Sequence, residues 1–138
     1  MMILDILYIG QGKLELKDFE LLEHANIIIK NVNDAISGLI ELKYKQPKLV
    51  LLNMDLIKIT AFDCLKIIRQ NPQYYHIKIG MISHIENFTQ IENAFNYGAD
   101  YFLITPITAQ TLLKILDNIN YQAFFKDFEN VLNRYNFS

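Results

Sequence analysis

The run Lys48–Asn53, KLVLLN, is a short apolar segment that follows Pro47, with helically spaced stretches on both sides of it. It is too short for a helix and reads as a strand that carries Asn53 to its carboxyl end. Four more such runs recur along the chain: Leu4–Ile9, Ile27–Ile29, Ile77–Ile82 and Tyr101–Ile104. Each of the five is followed by a helical segment. These are Leu14–Glu23, a segment capped by Asn33 or Asp34, Phe62–Arg69, Glu86–Tyr97 and a last helix capped by Thr108. Ile36, Leu39, Ile40 and Leu42 are expected on the inner side of the second helix, and Phe88, Ile91, Ala94 and Phe95 on that of the fourth. Gly98 is placed as a left-handed terminator of the fourth helix. Strands alternating with helices in this way predict an α/β fold, a five-stranded parallel sheet covered on both faces. In such a sheet the working site lies outside the carboxyl ends of the strands, where Asn53 sits.

Composition narrows the class. The chain has 138 residues, one domain's worth, and is 51% hydrophobic, too apolar for disorder. No run approaches the roughly 20 apolar residues that span a bilayer. The start, MMILDILYIG, lacks a basic flank and holds Asp5, which argues for a first core strand rather than a signal peptide and for a cytoplasmic address. A formal net charge of −2 disfavours nucleic acid as a partner. Cys64 has no second thiol for a disulfide or a metal site and is expected in the core.

The carboxyl-terminal segment carries two patterns. Leu112, Leu116, Ile119 and Ala123 share one helical stripe, whereas Phe124, Phe128, Val131 and Tyr135 form a second, rotated by roughly 130°. One straight helix cannot turn both stripes to one core. Either the chain bends near Asn118–Asn120 and residues 121–138 fold back on a domain of residues 1–120, or a longer helix offers an aromatic face to another molecule. Leu112, Phe124, Phe128, Val131 and Tyr135 are the expected interface residues, for a protein partner or a second copy.

Two longer segments resemble a known family. NVNDAISGLIELKYKQPKLVLLN is similar to the ungapped stretch between the second and third strands of the receiver domain of bacterial response regulators. AFNYGADYFLITP resembles that family's approach to its conserved-lysine strand, through Ala94, Gly98, Ala99, Asp100, Phe102 and Pro106. The spacings from Asn53 to Ser83 and from Ser83 to Thr105 are also those of the family. The resemblance covers about residues 3–120 and implies a receiver, flavodoxin-like (βα)5 sandwich, here with an extended last helix and with Phe102 as the switch-like aromatic.

It also implies a chemistry that these residues do not supply. Receivers accept a phosphoryl group on an aspartate, with magnesium held by acidic residues and a lysine pairing the phosphoryl oxygens. At those positions this chain has Asn53, a neutral amide; Gly10 and Gln11 for the acidic pair; and Thr105 for the lysine. Ser83 keeps the hydroxyl position. The resemblance therefore points to a degenerate pseudo-receiver, with no metal or cofactor and no enzyme activity, in which Asn53, Gln11, Ser83 and Thr105 are expected to hydrogen-bond one another. The leading expectation is a signalling module acting by protein–protein interaction. A small-ligand sensor using the neutral pocket is the alternative. Phosphotransfer through Ser83 or Asp55 lacks both a metal cage and a lysine. The remaining motifs are bland: Gly10-Gln11-Gly12-Lys13 lacks the spacing of a phosphate loop and reads as a turn, and His84 beside Ser83 reads as a surface residue.

Overall fold

A computed structural model describes residues 3–12 and 14–134. The strands are β1 (Ile6–Ile9), β2 (Ile29–Val32), β3 (Leu49–Asn53), β4 (Lys78–Ser83) and β5 (Tyr101–Ile104). They form one parallel sheet in the order β2-β1-β3-β4-β5. The helices are α1 (Leu16–His24), α2 (Ala35–Tyr44), α3 (Ala61–Gln70), α4 (Phe88–Asn96) and α5 (Ala109–Arg134), with a 3-10 turn at Pro72–Tyr74. Among the described residues no helix is long and apolar enough to cross a membrane.

The two faces of the sheet bury separate cores. Leu7, Ile9, Val50 and Leu52 point to the α2–α4 side with Leu42, Leu65 and Ile68. Ile6, Tyr8, Leu49 and Leu51 point to the α1/α5 side with Leu22, Leu112 and Leu116. Every β3 side chain is buried, as expected of a central strand in a sheet covered on both faces. Cys64 lies in the first core, where burial pushes its thiol up to about 12.

Local chemistry sets the helix ends. The side chains of Asp34, Thr60 and Asn87 accept from the backbone N–H of Ser37, Asp63 and Gln90, capping α2, α3 and α4. Gly98, at φ +108°, ends α4 with paired bonds from its own N–H to Phe95 O and from Ala99 N–H to Ala94 O. Asn26, at φ +61°, ends α1 in the same way, with Ile27 N–H bonded to Leu22 O.

Several expected positions are corrected. β2 begins at Ile29 rather than Ile27, because the turn through Asn26 carries Ile27 and Ile28 past the end of α1. On α2, Ile36 and Ile40 are exposed, and Ala35, Gly38 and Leu42 are the buried residues. On α4, Phe88 and Phe95 face outward and only Ala94 is buried. Both helices lie close to the sheet, so small residues occupy the inner positions: a Cβ at Gly38 would overlap the Ile9 side chain.

α5 does not bend. It has no proline or glycine to break it, and its 26 residues run about 39 Å at 1.5 Å per residue. The first part packs on the sheet through Ala109, Leu112, Ile115 and Leu116. Every residue from Asn120 to Val131 is exposed, so the helix projects beyond the domain instead of folding back on it.

Candidate functional site

The carboxyl ends of β1, β3, β4 and β5 surround a cleft of about 300 Å³ lined by Tyr8, Asn53, Asp55, Ser83, His84 and Thr105 among others. Asn53 is buried as the last residue of β3. Its Oδ1 accepts from Asp55 N–H at 2.8 Å, closing an Asx turn that starts the β3–α3 loop. Its Nδ2 donates to Tyr8 Oη at 3.4 Å, a long and weak bond.

The backbone after β1 rests directly on this amide. Gly10 has φ +136°, and a Cβ there would overlap Asn53 Cβ. A Cβ at Gly12 would lie 2.8 Å from both Asn53 Nδ2 and Tyr8 Oη. An acidic side chain at position 10 is therefore excluded by geometry as well as absent from the sequence. The loop is held on its other side by Asn31 Nδ2, which donates to Tyr8 O at 3.1 Å and to Gly10 O at 3.0 Å.

The remaining site residues are satisfied locally. Ser83 is buried, and its Oγ donates to Ile85 O at 3.0 Å and accepts from Ile85 N–H at 3.1 Å. Thr105 is exposed; its backbone N–H bonds to Ser83 O at 2.9 Å, and its peptide bond to Pro106 is cis. Gln11 is exposed and lines an adjoining hollow on the other side of Asn53, with Asn33, Asp34 and Ile57. The expected mutual network among Asn53, Gln11, Ser83 and Thr105 is thus corrected. Asn53, Ser83 and Thr105 share one cleft and Asn53 and Gln11 share the next, but the Asn53 and Ser83 side chains each close their own turn and no side-chain hydrogen bond joins the four.

Charge at the site is sparse. No Lys or Arg lines the cleft among the described residues. His84 Nδ1 and Asp55 Oδ2 lie 3.7 Å apart, both largely exposed. Among the described residues no group of three His, Cys, Asp or Glu side chains is arranged to hold a metal ion. Two carboxylates, Glu15 and Asp55, line the cleft with amides and hydroxyls, but they are not gathered with a third such group into a cage for a hard divalent cation.

Tyr8 is the site residue that sequence reasoning missed. Its ring is buried on the α1/α5 face and its hydroxyl reaches the floor of the cleft. Burial raises the phenol's pKa; the Asn53 bond lowers it, and the Asp55 charge raises it further. The phenol is therefore neutral at ordinary pH. The available signal was one polar-tipped residue in ILYIG, paired with Leu51 and so two residues short of Asn53 on the same face of the sheet.

Asp18 was also missed. It is buried on α1, and its Oδ1 accepts from Ala109 N–H at 3.0 Å, capping α5 from a residue 91 positions away. Phe102 on β5 is half-buried and packs against the α2–α4 core.

The tail residues divide. Leu112 is fully buried in the α1/α5 core, so its expected place in an interface is corrected: it fastens α5 to the sheet. Phe124, Phe128 and Val131 are exposed together on the projecting helix, joined by Tyr121 and Phe125. The Phe124 and Phe128 rings stack at 6.4 Å, and the Tyr121 and Phe125 rings tilt together at 4.9 Å. Tyr135 lies outside the described residues.

This architecture matches a known class. Residues 19–117 match the family model of the response regulator receiver domain, and the chain belongs to that family. Similar solved structures include a two-component response regulator from Clostridium difficile, at 23% identity and a TM-score of 0.75, over 87% of this chain and 98% of that one. A CheY-like receiver domain protein from Methanospirillum hungatei matches at 20% identity and 0.72, over 88% and 98%. A third is the receiver domain of a sensor histidine kinase from Pseudomonas aeruginosa, with a magnesium ion coordinated in its active-site cleft, at 17% identity and 0.71 over 86% and 99%. Among curated proteins no sequence match is found.

Proposed function

We propose that this chain is a receiver-like signalling module that works without phosphorylation, by protein–protein interaction through the projecting part of α5. One observation carries the reading. The residue at the phosphoacceptor position, Asn53, is an amide whose oxygen closes a turn, beneath a loop where Gly10 leaves no room for an acidic side chain. A neutral amide offers phosphorus no anionic oxygen. The lining residues Asn53, Ser83 and Thr105 add no cation to balance charge developing on a phosphoryl group.

The test is incubation with magnesium and a small phosphodonor, followed by intact-mass measurement and sedimentation. The expected result is an unchanged mass and an unchanged association state. A stable phosphoryl adduct would overturn the proposal.

A second reading, a small-ligand sensor, is favoured by one feature: the cleft continues past Tyr8 into an apolar hollow of about 390 Å³ lined by Leu14, Leu16, Phe19 and Ile29. A thermal-shift screen separates the two, since a ligand at a hundred times its Kd stabilises by about 2.7 kcal/mol. No response across neutral and amine-bearing amphiphiles removes the sensor reading.

A further inference from the structure

The projecting segment of α5 is amphipathic in the sense opposite to the part that packs on the sheet. At 100° per residue, Tyr121, Phe124, Phe125, Phe128 and Val131 fall on one side, and Gln122, Lys126, Asn130 and Asn133 fall on the other. The apolar side continues the outer, solvent-facing surface of α5, where Lys114 and Asp117 are exposed. An isolated helix of about 12–15 residues is marginal in water. This segment is of that length and its residues 120–131 are all exposed, so its aromatic side is the face that a partner would cover.

We propose that the occupant is a second copy of this chain, paired antiparallel along the same segment; the inference rests on the reading of α5 as the working surface. Area supports it. The four rings are exposed by 60%, 64%, 46% and 50% for Tyr121, Phe124, Phe125 and Phe128. At roughly 150–250 Å² per enclosed ring, two copies would remove about 900 Å² of aromatic surface from water. Val131 brings the sum near the ~1,000 Å² that a specific interface requires.

Shape supports the direction. A two-fold axis crossing the helices near residue 126 sets Tyr121 of one copy against Val131 of the other, large on small, and Phe124 against Phe128. The interface is isologous and closes on itself. It also opposes the two helix dipoles. A parallel pair would stack ring on identical ring at three levels and leave a gap at Val131. Lys126 points away from the axis, so no like charges meet there.

The experiment is sedimentation of the full chain, with disulfide trapping for direction. The wild type is expected to be a dimer. Phe124→Glu/Phe128→Glu should weaken association by at least about 100-fold while the domain still unfolds cooperatively, because neither ring touches the core; any loss of far-ultraviolet helical signal should be confined to the uncovered segment. In a Cys64→Ala background, Tyr121→Cys and Val131→Cys proteins should cross-link when mixed and not when oxidised separately. A monomeric wild type, or a dimer that survives the double substitution, overturns the pairing. Efficient cross-linking of each cysteine variant with itself overturns the antiparallel direction. None of these outcomes bears on phosphorylation, which the phosphodonor measurement decides separately.

Discussion

The two ends of the sheet handle charge in opposite ways. At the amino end, Asp100 and Arg69 form a tight junction: Arg69 Nη2 meets Asp100 Oδ2 at 2.8 Å, and its Nε donates to Gly98 O at 2.8 Å. The same carboxylate oxygen accepts from Ile79 N–H at 2.9 Å, and Lys78 Nζ lies 3.9 Å from the other oxygen. Asp5 does similar work before β1, accepting from Ile28 N–H at 2.8 Å with Lys48 at 3.8 Å. At the carboxyl end, the Asn53 amide and the Ser83 hydroxyl close local turns, and the described cations stay away. Charges that tie strands and helices together persist where they serve the fold. At the end where a receiver carries out its chemistry, the buried residues Asn53 and Ser83 are neutral, and the charged side chains Glu15 and Asp55 at the cleft tie no strands together, so the fold stands without charges there.

The comparison predicts unequal responses to single changes, and the largest belongs to the amino end. Asp100→Ala leaves the Arg69 guanidinium and Ile79 N–H without their acceptor in a half-buried setting. A loss of about 3 kcal/mol is expected from urea unfolding with an unchanged m value. A loss below about 1 kcal/mol would show that the junction is a surface decoration. A smaller effect is expected from Asn53→Asp, which buries a carboxylate beside Asp55 with no described cation lining the cleft. Tyr8 Oη could donate to the new oxygen, which limits the loss to about 1–2 kcal/mol at neutral pH. The variant's folded carboxyl is raised above its unfolded value, so the deficit should close as pH falls toward about 4. A variant stabilised at pH 7, or one that accepts a phosphoryl group, would erase the contrast between the two ends.

How much of this is legible in the sequence follows from where each signal resides. The five strands and five helices follow from periodicity, and β5 has the expected bounds, because alternation of short apolar runs with helical segments is local information. The inner faces of α2 and α4 do not follow from it. Weight of large side chains favours Ile36, Ile40, Phe88 and Phe95, whereas close approach to the sheet selects Ala35, Gly38 and Ala94. The site residues Asn53, Ser83 and Thr105 are legible as types at given spacings. Their partners are not, since an Asx turn at Asn53 and a two-residue turn at Ser83 compete with any network between them. Asp18 capping Ala109 joins elements at opposite ends of the chain, and no local pattern records it. The two stripes on the last helix show that something must change near residue 120. The absence of a breaker in that stretch decides that the helix continues.

The smallest predicted effect tests the carboxyl end most directly, because it needs only the removal of one oxygen. The Tyr8 phenol has its pKa raised chiefly by burial, so the folded chain holds this proton to higher pH than the unfolded chain does. A group raised in the folded state gives its full stabilisation below the unfolded value, near 10, and loses it as pH climbs through the folded value. Wild-type stability should therefore begin to fall near pH 9, where the unfolded Cys64 thiol ionises while burial holds the folded one up to about 12, and fall further above about pH 10 as Tyr8 and Tyr101, both raised, contribute in the same direction. Tyr8→Phe should be nearly neutral at pH 7, since the bond it removes is long, and its alkaline decline should be shallower than that of the wild type. Urea midpoints measured from pH 7 to 11 read the difference. Equal slopes would mean that the phenol is solvated in the cleft, and the floor of the site would then be open to water instead of filled by Tyr8.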